Sequence, residues 1–187
     1  MSYAMSSSPM SGVRLQAGAS LLEVLIAILI MSFGLLALGG LAAASVQYGK
    51  MAQFQTIGVQ LASEYADRMR ANTDGFVANA YNKDSVYAAS SSLSNVPACA
   101  VPTLCTSAEI AQIDKVEWLN SLKQRLPGGD AYVLRSAENT LAVDVWIMWT
   151  DPALDSSLAI GSSADCPAAS LPSSGPAPRC MYFRVSI

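Results

Sequence analysis

The side chains that could do chemistry in this 187-residue sequence are four cysteines, fourteen carboxylates and many serines, and there is no histidine. The commonest general base and metal ligand is therefore missing. No motif pairs a serine with a base, and no phosphate-binding loop, EF-hand spacing or zinc-type cysteine pair occurs. The sequence predicts neither an enzyme nor a cofactor or metal site. A net charge of -3 without a basic run also argues against nucleic-acid binding.

The four cysteines all follow the apolar N-terminal segment, at Cys99, Cys105, Cys166 and Cys180. An even number in an exported region predicts two disulfides, for which three pairings are possible. The local pairs, Cys99 with Cys105 and Cys166 with Cys180, are favoured because short loops close easily.

One carboxylate, Glu23, lies at the entrance of a long apolar stretch. No charged residue follows it before Lys50, and Leu, Ile, Ala and Val dominate the first part of this segment. About 20 apolar residues suffice to cross a bilayer. Residues 21–44 are therefore predicted to span a membrane.

Three interpretations of this N-terminus compete. A cleaved secretory signal would use the alanines at 42–44 as its cleavage site, but the apolar stretch is longer than a signal core of about 7–15 residues. A plain membrane anchor does not explain Glu23, because placing a carboxylate in a membrane helix costs free energy, on the order of 3 kcal/mol at the helix centre and less near its end. The third interpretation also accounts for Gly18.

The segment that begins at Gly18 reads Gly-Ala-Ser-Leu-Leu-Glu-Val-Leu-Ile-Ala, and it closely resembles the start of type IV prepilins and pseudopilins. The resemblance implies that a prepilin peptidase removes a leader, residues 1–18, by cutting after Gly18. It also implies N-methylation of the new first residue, Ala19, where the family usually has phenylalanine. Glu23 then stands at the glutamate position of the family.

Cleavage after Gly18 would place an amine at Ala19, one helical turn from the Glu23 carboxylate. In a filament, the carboxylate of one subunit would neutralise the amine of a neighbour, because a charge buried in apolar surroundings strongly favours a partner. Glu23 is therefore predicted to set the register of assembly.

The helix is predicted to continue beyond the membrane, from about Ser20 to about Ala71, because no proline interrupts it. Its second half carries one apolar stripe at three-and-four spacing. The members of this stripe are Met51, Phe54, Ile57, Leu61, Tyr65 and Met69. At 1.5 Å per residue, such a helix would be on the order of 75 Å long.

The remaining chain predicts a globular domain with a loop, a helix and strands. Residues 73–105 are predicted to form a long surface loop. A capping box of Thr106 and Glu109 begins a helix that ends near Arg125. The expected inward face of this helix is Ile110, Ile113, Val116, Leu119 and Leu122. Strands are expected at 132–136, 141–149 and 181–187, the last two from their period-two alternation.

These elements predict an α+β, pilin-like fold in which a long N-terminal helix packs on a small antiparallel sheet with one extra helix. The domains are a leader (1–18), the long helix (19–72) and a periplasmic globular domain (73–187).

The order of elements also resembles the PilV group of minor pilins. The similar features are the helix start from Cys105 to Glu109, the Leu-Pro-Gly-Gly stop at 126–129 and the strand that begins at Val143. The resemblance implies a minor pilin that helps initiate type IV pilus assembly. It would work in a tip complex with other minor pilins, the major pilin and an adhesin.

The resemblance further implies processing by prepilin peptidase and a single-pass inner-membrane location with a periplasmic domain, followed by the pilus tip. Two alternatives stay open. The first is a type II secretion or DNA-uptake pseudopilin, which shares the same N-terminus. The second is a membrane-anchored periplasmic enzyme.

Overall fold

The structure, a computed structural model, describes residues 20–90, 92–101, 104–150, 165–173 and 177–187. The predicted leader, with Gly18, and the neighbouring Ala19 lie outside these residues. The chain divides into two compact units, Met1–Ser45 and Val46–Ile187. Helix α1, Leu21–Ala71, contributes residues to both. Its bounds agree with the predicted ones, since no proline interrupts 51 residues.

In the second unit, α1 buries the apolar stripe that its spacing predicted. Met51, Leu61, Tyr65 and Met69 are buried, and Phe54 and Ile57 pack against the same core as partly buried side chains. Small residues between them, Gly58, Ala62 and Ala66, are buried as well. They let the helix approach the rest of the unit closely.

The prediction of a surface loop over residues 73–105 was wrong for its first part. Helix α2, Thr73–Val77, begins directly after α1, and the side chain of Asn72 caps it by accepting a hydrogen bond from the Gly75 N–H. Phe76, Tyr81 and Tyr87 are all buried. These aromatic side chains anchor a segment whose Ser- and Ala-rich composition had suggested solvent exposure.

Helix α3, Ser107–Arg125, begins at the predicted capping box: Thr106 Oγ1 accepts from the Glu109 N–H, and the Glu109 side chain accepts from the Thr106 N–H. Of the predicted inward face, Leu122 is buried and Leu119 packs against the core as a partly buried side chain. The rest of the prediction was wrong, because Ile110 is exposed and Ile113 and Val116 are only of intermediate exposure. The buried residues are Ala111, Trp118 and Leu122. The face is rotated because the large indole of Trp118 occupies the space next to α1.

Three antiparallel strands form the sheet, in the order β1 (Asp130–Arg135), β2 (Ala142–Trp149) and β3 (Arg179–Ser186). β1 starts two residues earlier than predicted. The alternation of β2 and β3 is confirmed. Their odd-numbered residues face the core shared with α1 and α3, namely Val143, Val145, Ile147 and Trp149 from β2 and Met181, Phe183 and Val185 from β3. The predicted α+β fold class is therefore confirmed.

The opposite face of the sheet carries a smaller cluster. Tyr132, Met148, Cys166 and Cys180 are buried there together with Tyr87. Tyr132 and Trp146 pack edge to face with ring centroids 5.9 Å apart, and Trp146 lies 5.0 Å from Tyr182. Both sides of the central strand β2 are therefore largely covered.

Candidate functional site

Glu23 lies in the first turn of α1, where the chain enters the helix. Ser20 precedes the helix, and its Oγ accepts a hydrogen bond of 3.2 Å from the Glu23 N–H. Acidic side chains are favourable at this end of a helix, because its first N–H groups are unpaired. Since Gly18 and Ala19 lie outside the described residues, cleavage, methylation and pairing of Glu23 with an amine stay predictions.

The apolar residues that follow Glu23 are exposed in the first unit. Among the described residues, one helix, α1, is long and apolar enough to cross a membrane, and the apolar stretch that qualifies it is not buried. Leu22, Phe33 and Leu36 are 66–73% exposed. Monomeric soluble proteins rarely expose an apolar surface of this extent. This segment therefore fits a membrane anchor or a surface that other subunits cover.

The disulfide between Cys99 and Cys105, with Cα atoms 5.3 Å apart, precedes α3. Glu109 joins the disulfide loop to the helix, because its carboxylate accepts hydrogen bonds from the N–H groups of Ala100 and Thr106 and from the Thr106 hydroxyl. These bonds favour the ionised carboxylate and lower the pKa of Glu109 to about 2. The capping box therefore also orders the loop before α3.

The disulfide between Cys166 and Cys180 has a different environment. Its Cα atoms are 5.2 Å apart, and it is packed in the cluster on the outer face of the sheet. It fixes the short 3-10 turn Ala168–Ser170 next to β3, and the Tyr87 N–H donates to the Ser170 carbonyl at 2.8 Å. The local pairing predicted for both disulfides is confirmed.

A polar network that was not foreseen from the sequence joins α1 to α3. The Arg68 guanidinium contacts three carboxylates, Glu64 at 3.0 Å, Asp114 at 3.1 Å and Glu117 at 2.8 Å. Partial burial lowers the pKa of Arg68, but hydrogen bonds to Glu117, Glu64 and Asp114 outweigh it and raise the pKa overall. Arg68 is therefore firmly cationic and holds the two helices together.

Tyr81 completes this network from the segment that follows α2. Its hydroxyl donates to Asp114 at 2.6 Å and accepts from the Asn72 amide at 3.1 Å. Burial and the Asp114 hydrogen bond raise the pKa of Tyr81 well above its ordinary value. The partners lie 33 and 9 residues from Tyr81 in the chain, so no local spacing could have indicated them.

A second unforeseen pair is the buried ion pair of Lys83 and Asp130. Lys83 Nζ lies 2.8 Å from Asp130 Oδ1 and donates to the Ala131 carbonyl at 2.8 Å. The other Asp130 oxygen accepts from the Ala88 N–H at 3.2 Å. This pair fixes the segment after α2 against the edge of β1, where Lys83 and Val133 form an isolated bridge.

The described residues were also compared with the sites that the sequence analysis considered. No group of three His, Cys, Asp or Glu side chains converges there to hold a metal ion. The tryptophans Trp118 and Trp149 are buried in the core, and the Trp118 indole N–H donates to the Leu61 carbonyl at 2.8 Å. An open cleft of about 410 Å³ lies beside β3. Its lining includes Gln55, Trp146, Trp149, Asp165, Met181 and Tyr182.

Comparison with protein-family models, with curated proteins and with solved structures finds no match to this chain. Its function therefore has to be argued from its own residues.

Proposed function

We propose that this protein is a type IV pilin-like assembly subunit, and specifically a minor pilin that helps initiate a pilus. The observation that carries the proposal is the exposed apolar half of α1, with Glu23 in its first turn and Gly18 five residues before it. An apolar surface of this length needs either lipid or other subunits around it. A carboxylate at its entrance then needs a cationic partner, which the amine of a neighbouring subunit would supply.

The packing of the rest of α1 in the second unit supports the same proposal. It buries the apolar stripe of residues 51–69, so this part needs no partner to fold. The anchor segment is thus left for contacts between subunits, whereas the apolar stripe is already covered within the globular unit. A filament subunit requires both features, an apolar helical segment that contacts other subunits and a globular unit with its own core.

The first test is the mature N-terminus of the full chain, expressed with and without a prepilin peptidase. Intact-mass measurement should give a chain that starts at Ala19 and carries one additional methyl group when the peptidase is present. Gly18→Val should leave the precursor uncleaved. A chain that starts at Ser45 would instead identify a secretory signal and would refute the prepilin proposal.

The second test is Glu23→Ala, with filaments sheared from cells of the native host and quantified by immunoblot. We expect cleavage to be unaffected and the filament yield to fall by about tenfold or more, because the amine of each neighbour loses its partner. Asp67→Ala is the matched control, since Asp67 is an exposed carboxylate on the same helix. Equal filament yields for the two variants would contradict a role of Glu23 in register.

The choice between pilus and secretion machine requires a separate measurement. Deletion of the gene should abolish surface pili if the protein is a minor pilin of the PilV type. Loss of protein secretion with normal pili would instead support the type II secretion pseudopilin, and loss of DNA uptake alone would support the uptake pseudopilin.

A further inference from the structure

Arg135 is the last residue of β1 and lies beside the final residues of α2. Its Nη1 donates to the Val77 carbonyl at 2.8 Å, and its Nε donates to the Thr140 carbonyl at 2.7 Å. The guanidinium carbon also lies 5.0 Å from the centroid of the Phe76 ring. Three contacts from two elements therefore hold this cation in one position.

The charge of Arg135 is not balanced within the described part of the chain. Arg68, Arg70 and Arg184 each form ion pairs with carboxylates. Glu138, in the same hairpin as Arg135, lies 4.0 Å from Arg184 instead. Both bonds of Arg135 go to neutral carbonyls and neither uses Nη2, so the guanidinium keeps hydrogen-bond donors with which it can bind a carboxylate.

Exposed apolar side chains flank this cation. Val77 is 59% exposed and Leu141 is 61% exposed. Val77 supplies one of the carbonyls that hold Arg135, and Leu141 follows the residue that supplies the other. A fixed arginine beside apolar side chains is the composition found at the centre of protein interfaces, where arginine is enriched and lysine is depleted.

We propose that Arg135, Val77 and Leu141 form a docking surface for a segment of another subunit that presents a carboxylate next to apolar side chains. The occupant follows from charge complementarity, because a preorganised cation without an internal partner is best neutralised by a carboxylate from outside. That the partner is another assembly subunit rests on the proposed function. The contact then lies beside the final residues of α2, away from Val46, where α1 enters the unit.

The test is site-specific crosslinking of the full chain in the native host. A photo-crosslinking amino acid replaces Thr140, whose side chain lies on the exposed hairpin, and mass spectrometry identifies the linked residues. We expect a crosslink to an identified pilin-like subunit within a few residues of an Asp or Glu. The same amino acid at Ile28, in the apolar half of α1, serves as the reference site.

Two matched pairs of variants test the chemistry. Arg135→Gln should lower the Thr140 crosslink yield by about tenfold, whereas Arg125→Gln should not. Arg125 also lacks an ion pair among the described residues, but it lies at the end of α3 beside Gln60 and not at the surface of Val77 and Leu141. Leu141→Asp should lower the yield far more than Leu141→Lys. This second pair leaves the guanidinium and its carbonyl contacts intact, and so it stays informative if Arg135→Gln unfolds the protein.

The outcomes separate the two hypotheses. A crosslink at Ile28 to other subunits, with none at Thr140, would overturn the docking surface and leave the proposed function standing. No crosslink to pilin-like subunits from Ile28 would count against the proposed function itself. Equal Thr140 yields for Leu141→Asp and Leu141→Lys would show that no carboxylate docks there. Restoration of the crosslink by Arg135→Glu together with reversal of the identified carboxylate to arginine would support the proposal.

Discussion

The two halves of α1 belong to one uninterrupted helix, yet their apolar side chains have opposite surroundings. Between residues 21 and 45 the large apolar side chains are exposed, with Leu38 at 64%. Between residues 46 and 71 the stripe is covered, and Leu61 is fully buried. The difference does not lie in helix propensity, since both halves are helical. The two halves differ because other parts of the described chain cover the apolar side chains of the second half and do not cover those of the first.

This comparison separates the side chains of α1 that stabilise the second unit from those that the described part of the chain leaves uncovered. Leu61, Tyr65 and Trp118 pack together, with the Tyr65 and Trp118 rings stacked at 3.9 Å. Nothing equivalent exists for the described residues of the first unit. Substitutions in the second half should therefore change the free energy of unfolding, whereas those in the first half should change membrane insertion or filament contacts.

The largest expected effect distinguishes the two halves directly. Leu61→Ala should reduce the free energy of unfolding of the second unit by about 2–5 kcal/mol, because it removes a fully buried side chain from a packed core. Leu38→Ala should change it by less than about 0.5 kcal/mol. Chemical unfolding of the full chain in detergent, followed by tryptophan fluorescence, measures both. A similar loss of unfolding free energy in the two variants would show that the two halves of α1 do not differ in their contribution to stability.

A smaller effect is expected from the network that joins α1 to α3. Arg68→Met should cost about 1–3 kcal/mol, because the cation shared by Glu64, Asp114 and Glu117 is lost and partly buried carboxylates are left unpaired. Arg70→Met, which removes a surface pair with Asp67, should cost less than about 1 kcal/mol. The urea concentration at the midpoint of unfolding measures the loss of stability of each variant, provided that the dependence of the unfolding free energy on urea concentration is unchanged. Equal midpoints would mean that the network contributes no more than a surface pair.

The smallest effect concerns pH and is confined to the second unit. Hydrogen bonds from Ala100 and Thr106 lower the pKa of Glu109 from its ordinary value of 4.5 to about 2. This carboxylate therefore contributes stability above about pH 4.5 that is lost as the pH falls towards 2. The Tm of the wild type should exceed that of Glu109→Gln at pH 6, and the gap should narrow between pH 4.5 and 2. A gap that is constant with pH would show that ionisation of Glu109 is not involved.

Features that depend on neighbours in the chain were predicted well. The capping box of α3 requires Thr106 and Glu109 three residues apart, which is visible in the sequence. The alternation of Val143, Val145 and Ile147 likewise indicates a strand with one buried face. The local disulfide pairing followed from loop length. Each rests on a contact or a periodicity between residues that are at most 14 positions apart in the chain.

Features that depend on distant partners were not predicted. Residues 73–105 have a composition typical of loops, but Tyr81 is buried because α1 and α3 meet around it, with its hydroxyl between Asn72 and Asp114. The face of α3 was set by Trp118, whose indole donates to a carbonyl 57 residues away. Lys83 and Asp130, separated by 47 residues, gave no sign of pairing.

The sequence by itself determined the uninterrupted α1, the apolar anchor with Glu23 at its entrance, the cap of α3 and the alternation of β2 and β3. These follow from the hydrogen bonds of a capping box, from a period of two residues in the strands, and from a long stretch without charge or proline in α1. Only the tertiary structure decided which face of α3 is buried, which side chains surround Tyr81 and which contacts hold Arg135. Those outcomes depend on side chains that come together from distant parts of the chain. Local sequence patterns do not indicate how such side chains pack or which charges they pair with.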